Sequence, residues 1–212
     1  MAGYFLYTLD HNVFSDLTMN PTREHGQIFV DYLFAEFEDL KEEFEAEDSV
    51  WPSDKDALIA KIVERLASPD WYSDLSYEDA CIWDTIIGLL DDEPGEQLGI
   101  DFQCSDYESI YWDCADIAAE QGATMMAEPK FGNAGFRYFG KPESDWNPFP
   151  MYSFYLPEKS RELLAQLKQV EPHFRSLSQD EGEPGEQFFK GLLPVVESVV
   201  EKNRVLWVQT DT

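Results

Sequence analysis

Between residues 31 and 48 the chain carries nine carboxylates, Asp31, Glu36, Glu38, Asp39, Glu42, Glu43, Glu45, Glu47 and Asp48, with Lys41 as the single cation. Residues of this type at this density act through charge. They complement a basic protein surface, raise the rate of encounter with it, and make that rate fall steeply with salt. Trp51 lies just beyond the run, and Trp71-Tyr72 lies in a later connection; buried aromatic anchors of this kind carry most of the energy of an interface. Weighed against this is a plain solvated helix face, the usual role of a charge run.

A second group with chemical potential lies between Phe131 and Tyr155. Arg137 and Lys141 supply cations, Tyr138 and Trp146 supply ring faces, and the surrounding glycines and prolines make the stretch a loop region able to enclose a small-molecule pocket. Asp91, Asp92, Glu93 and Glu96 offer oxygen ligands, but the spacing lacks the alternating acids and central glycine of an EF-hand loop, so the stretch reads as a solvated turn. Cys81, Cys104 and Cys114 form neither a CxxC pair nor a Cys/His zinc pattern and read as reduced thiols. His11 and His173 read as surface or helix-end residues. No nucleophile elbow, HExxH, P-loop or strand-bound dinucleotide fingerprint occurs. The expectation is therefore no metal and no cofactor, and the sequence singles out no catalytic residues.

The whole composition supports the charge reading. The 212 residues include 43 Asp and Glu against 15 Lys and Arg, a net charge of −28. Such a chain repels nucleic acid, whose phosphates are normally met by Lys and Arg, and repels acidic membrane surfaces. No apolar run approaches the roughly 18 residues of a membrane span. The start MAGYFLYTLD lacks the basic region of a secretory signal, so a cytoplasmic location is expected. Residues 1–100 hold 24 acids and 5 bases, and residues 101–212 hold 19 and 10. The excess is thus −19 in the first half and −9 in the second, whereas an acidity serving only solubility in a saline cytoplasm would be even. A DNA mimic needs a charged surface tens of Å long, and one 20-residue helix supplies only about 30 Å.

The elements that must position these residues follow from periodicity. Gly3 to Leu9 and Val205 to Gln209 read as strands. Phe29, Leu33, Phe37, Leu40 and Phe44 mark a helix from Gln27 to about Asp48. Ser53 and Asp56 form a capping box before the stripe Leu58, Ile59, Ile62, Val63 and Leu66. A third helix runs from Ser76 to about Leu90. A fourth starts at Ser105, with Glu108 three residues on, and stops at Gly122. Short strands are expected at Phe136 to Phe139 and Tyr152 to Leu156. Pro157 opens a fifth helix that Pro172 ends, and Pro194 should kink or split a strongly apolar last helix. The predicted architecture is α+β: a mostly helical single domain spanning 1–212, with an acidic helical first half, a Gly/Pro/aromatic loop segment at 123–157, and a small sheet formed by the terminal strands and short strands around 136–156.

The start Met1-Ala2-Gly3-Tyr4-Phe5-Leu6 and the end, a helix up to Lys202 followed by Val205-Leu206-Trp207-Val208, resemble the terminal segments of the uncharacterised bacterial YfbM-like proteins. The resemblance implies a bacterial, soluble α+β protein of unknown activity with a suggested link to toxin neutralisation, and supplies no functional residues to carry across. The combined expectation is a non-enzymatic acidic protein that binds a basic protein partner, in an immunity or inhibitor role. A pocket at 131–155 and DNA mimicry are the alternatives.

Overall fold

The computed structural model describes residues 3–36, 54–67, 86, 88–105, 107, 110–127 and 152–211. It is a mostly helical α+β structure with a small antiparallel sheet of five strands. The chain divides into two compact units, the first built from residues 3–11 and those described from 103 onward, the second from those described between 12 and 102.

The first unit is organised by its terminal strands. β1 (Gly3–Asp10) pairs along its whole length with the last strand, β5 (Arg204–Asp211), with Leu6 opposite Val208 and Tyr7 opposite Trp207. β5 is central because β4 (Tyr152–Tyr155) pairs with its other side. That position explains its composition: Val205, Leu206, Trp207 and Val208 are all buried, as a strand covered on both faces requires. On one face Tyr4, Leu6, Leu206 and Val208 enter the core. On the other, Trp207 meets the rings of Tyr7 and Phe154 at 5.0 and 5.7 Å between centroids.

The outer side of β1 holds two short strands, β2 (Gln103–Cys104) and β3 (Ile110–Tyr111). β3 corrects the helix expected from Ser105. A helix does form, but only at Trp112–Glu120, with Tyr111 as its N-cap. Ile110 and Tyr111 instead take the free edge of β1, where Gly3 lets the two backbones approach so closely that a Cβ there would lie 2.7 Å from the Ile110 carbonyl oxygen. The side-chain oxygen of Gln187 accepts the Tyr111 N–H at 2.7 Å. The expected stop at Gly122 does occur, with φ +113°.

The helices of this unit pack on the sheet's core face. One spans Pro157–Phe174, with Pro157 in its first turn as expected, and buries Leu163, Leu167, Val170 and Phe174 at helical spacing. Pro172 does not end it. The helix continues through its last turn because Phe174 is fully buried and stacks on Phe188 at 4.0 Å. The final helical run comprises Pro184–Glu186, a π-helical segment Gln187–Leu192, and Leu193–Lys202. Pro194 neither splits this run nor stands inside a regular helix: it lies in the first turn after the wide π segment, where Leu193 N–H donates to the Phe188 carbonyl five residues back. The wide turn makes room for a ring that would otherwise strike the carbonyl four residues earlier. Asn203, with φ 53° and ψ 47°, closes the run and feeds directly into β5.

Periodicity missed one helix, His11–Met19, all but the first residue of which belongs to the second unit. Phe14, Leu17 and Thr18 are its only buried residues, too brief a stripe to register in the sequence. The next helix, Arg23–Glu36, begins one turn before the expected Gln27. Thr22 explains the earlier start: its hydroxyl accepts the His25 N–H and its own N–H donates to His25 Nδ1, both at 3.3 Å, a reciprocal cap. The helix Lys55–Leu66 is capped by Asp54, which accepts the Ala57 N–H at 2.8 Å, in place of the expected Ser53. Its buried Leu58, Ile59, Ile62 and Leu66 face the Arg23–Glu36 helix, which approaches closely at Gly26. Asp92 caps a short helix, Glu93–Gln97, so the acidic stretch opens a new element and spares the preceding one an unfavourable C-terminus. The expected strand at 136–139 and most of the expected helix at 76–90 lie outside the described residues.

Candidate functional site

The first unit carries a concavity of about 280 Å³ between the sheet edge and the final helical run. Its sheet side is set by β2. Cys104 stands opposite Tyr7 and Gln103 opposite Thr8, and Ser105 N–H donates to the Leu6 carbonyl at 2.9 Å. Ser105 Oγ in turn accepts the Tyr107 N–H at 3.2 Å, a local turn that aims the Tyr107 ring at the π segment. Gly191 accommodates that ring; a Cβ there would lie 2.8 Å from Tyr107 Cδ1. The helical side brings Lys190, Pro194, Ser198 and Lys202 to the concavity, four residues apart on one face.

Beneath Tyr107 and Lys190 lies a buried carboxylate. Glu186, only 6% exposed, accepts the Gly182 N–H at 2.6 Å, Lys190 Nζ at 2.8 Å and the Tyr107 hydroxyl at 3.3 Å. The Lys190 hydrogen bond, then the Gly182 amide, hold its carboxyl below the usual range. Glu186 correspondingly raises Lys190. Burial first, then the Glu186 charge, push the Tyr107 phenol up to about 12. At neutral pH the three groups therefore stand as carboxylate, ammonium and neutral phenol. At the far wall Thr8 accepts Arg204 Nε on its hydroxyl at 2.7 Å and Arg204 Nη2 on its carbonyl at 3.1 Å.

The described residues of the second unit carry exposed charge of both signs. Ion pairs join Arg23 to Asp56, Lys55 to Asp31 and Arg65 to Glu64. Glu24, Asp91, Glu93 and Glu96 are exposed and stand outside those three pairs. Asp91 is raised by desolvation and by Asp92 beside it, while Asp92 is lowered chiefly by the Tyr32 hydroxyl that donates to it. Among the described residues no group of three or more His, Cys, Asp or Glu converges to hold a metal ion, and no helix is long and apolar enough to cross a membrane.

Of the acidic residues selected from sequence, Glu36 lies in the Arg23–Glu36 helix. Glu38, Asp39, Glu42, Glu43 and Glu45, the aromatic anchors Trp51, Trp71 and Tyr72, and the pocket residues Arg137, Tyr138, Lys141 and Trp146 lie outside the described residues. His11 and His173 do stand at helix ends, and Cys114 is buried, where desolvation raises its thiol; Cys104 is exposed at the concavity. Sequence reasoning missed the concavity because its walls are separated by some 85 residues and one of them depends on a two-residue strand. The one local signal was Glu186 and Lys190, an acid and a base four apart in a helical pattern. Comparison with known proteins returned no matching family model, no matching curated protein and no matching solved structure.

Proposed function

We propose that this protein is a cytoplasmic, non-enzymatic acidic binding protein that recognises a basic protein partner, in an immunity or inhibitor role. The observation that carries the reading is the −19 charge of residues 1–100, with 24 acids against 5 bases. Its carboxylates take the place of the phosphates that a basic partner, such as a nuclease, would otherwise hold. Among the described residues of the second unit, the exposed acids Glu24, Asp91, Glu93 and Glu96, which stand outside the ion pairs named above, support a surplus of negative potential there. Glu36, Glu38, Asp39, Glu42, Glu43 and Glu45 supply the steering charge in this reading, and Trp51, Trp71 and Tyr72 the anchors.

The test is a pull-down from the source lysate with the tagged chain at about 50 mM and about 500 mM salt, a range that screens exposed charges. A stoichiometric basic protein, retained at low salt and weakened at high salt, is expected. The variant carrying Glu38→Lys, Glu42→Lys and Glu45→Lys should lose it. Retention of the same partner by that variant, with unchanged salt dependence, rejects the assignment.

A further inference from the structure

The two short strands on the outer edge of β1 are anchored very differently. At β3, Ile110 is buried in the core, and the Tyr111 N–H is held by Gln187, which is itself buried and donates its amide to the Gly182 carbonyl at 2.7 Å. At β2, Gln103 and Cys104 are exposed and Ser105 is half-buried. Between this end and the final helical run lies the concavity of about 280 Å³, in place of a packed layer. Tyr107 fastens the end across that gap. Its ring is seated against Gly191, and its hydroxyl donates to Glu186 at 3.3 Å, the longest of the three hydrogen bonds that this carboxylate accepts. Breaking it strands no buried group. Glu186 keeps the Gly182 N–H and the Lys190 ammonium, and the phenol of half-buried Tyr107 passes to water. Exposed backbone hydrogen bonds over few buried apolar contacts mark a segment that opens at low cost, ahead of the fold around it.

We propose that residues 103–105 and Tyr107 form a flap, latched by Tyr107 to Glu186, that lifts from β1 and from the helical run while Ile110 and Tyr111 stay in place. Lifting breaks the ladder between β2 and β1, in which Ser105 N–H donates to the Leu6 carbonyl and Gln103 stands opposite Thr8. In an antiparallel ladder alternate residues turn both backbone groups to the same side, so Leu6 and Thr8 then present N–H and C=O to solvent. An unpaired edge of this kind accepts an extended segment through main-chain hydrogen bonds. The flap is therefore a gate on the outer edge of β1, and the gate is independent of the acidic surface of the first half.

Native-state hydrogen exchange of the full chain, read amide by amide in rising urea below the unfolding transition, tests the gate. In the parent, the Leu6, Thr8 and Ser105 amides should exchange through an opening that depends on urea far more weakly than exchange of the Val205 and Trp207 amides in β5. Tyr107→Phe keeps the ring and removes the latch, and should quicken those three amides about fivefold, the worth of one hydrogen bond, with β5 unchanged. A Ser105 amide whose exchange follows the urea dependence of β5 means that the segment comes away only when the whole unit unfolds, and overturns the proposal. A Tyr107→Phe protein in which the three amides keep the parent rate, or in which β5 quickens to the same degree, overturns it as well.

Discussion

At the scale of single residues, the informative groups are those whose environment changes their chemistry. Tyr107 is one: its phenol titrates at about 12 against an ordinary 10.0, because burial and Glu186 oppose the phenolate. The unfolded chain therefore releases this proton first, and between pH 10 and 12 stability falls as pH rises. Tyr107→Phe should remove this part of the alkaline loss and the corresponding absorbance step, both measurable by spectrophotometric titration beside thermal melts. Phe174 is another. It is fully buried against Phe188 in a helix turn that carries Pro172, and Phe174→Ala should cost about 3–5 kcal/mol in urea unfolding. Neither environment was readable locally, since Tyr107 and Glu186 stand 79 residues apart and proline normally ends a helix.

At the scale of elements, β5 has the greatest structural consequence. It pairs with β1 over eight positions and with β4 over four. Removal of residues 204–212 should abolish cooperative melting of the first unit; an unchanged melting temperature would contradict a central role for the strand. Both terminal strands were legible because each is a dense apolar run bounded by turn or cap residues. β2 and β3 were not, since two residues cannot show a period of two and their pairing is dictated by the exposed edge of β1. The shift of the helix start from Ser105 to Trp112 has the same origin: edge pairing with Gly3 and Tyr4 outweighed a local capping pattern.

At the scale of the molecule, charge dominates. A net −28 on 212 residues loads the compact state with self-repulsion. Raising salt from about 20 to about 200 mM shortens the screening length from roughly 20 to 7 Å. The melting temperature should then rise by about 3 °C, the shift that 1 kcal/mol produces at this size. A melting temperature that falls over the same range would mean that local ion pairs such as Lys168–Glu197 and Lys190–Glu186 outweigh the global repulsion.

Composition and periodicity by themselves determined the α+β class, the strands at both ends, the long helix from Pro157 and the acidic surplus of residues 1–100. Each is written in a run of neighbouring residues, where apolar spacing or charge count acts over one or two turns. Only the tertiary structure decided the capping of the acidic stretch by Asp92, the persistence of a helix through Pro172, the strand at Ile110–Tyr111 and the gathering of Lys190, Lys202 and Cys104 around one concavity. These depend on which sheet edge is left open and which side chains are buried across long loops. Contacts of that kind outweigh local preference whenever they satisfy backbone groups or bury rings that the local conformation would leave in water.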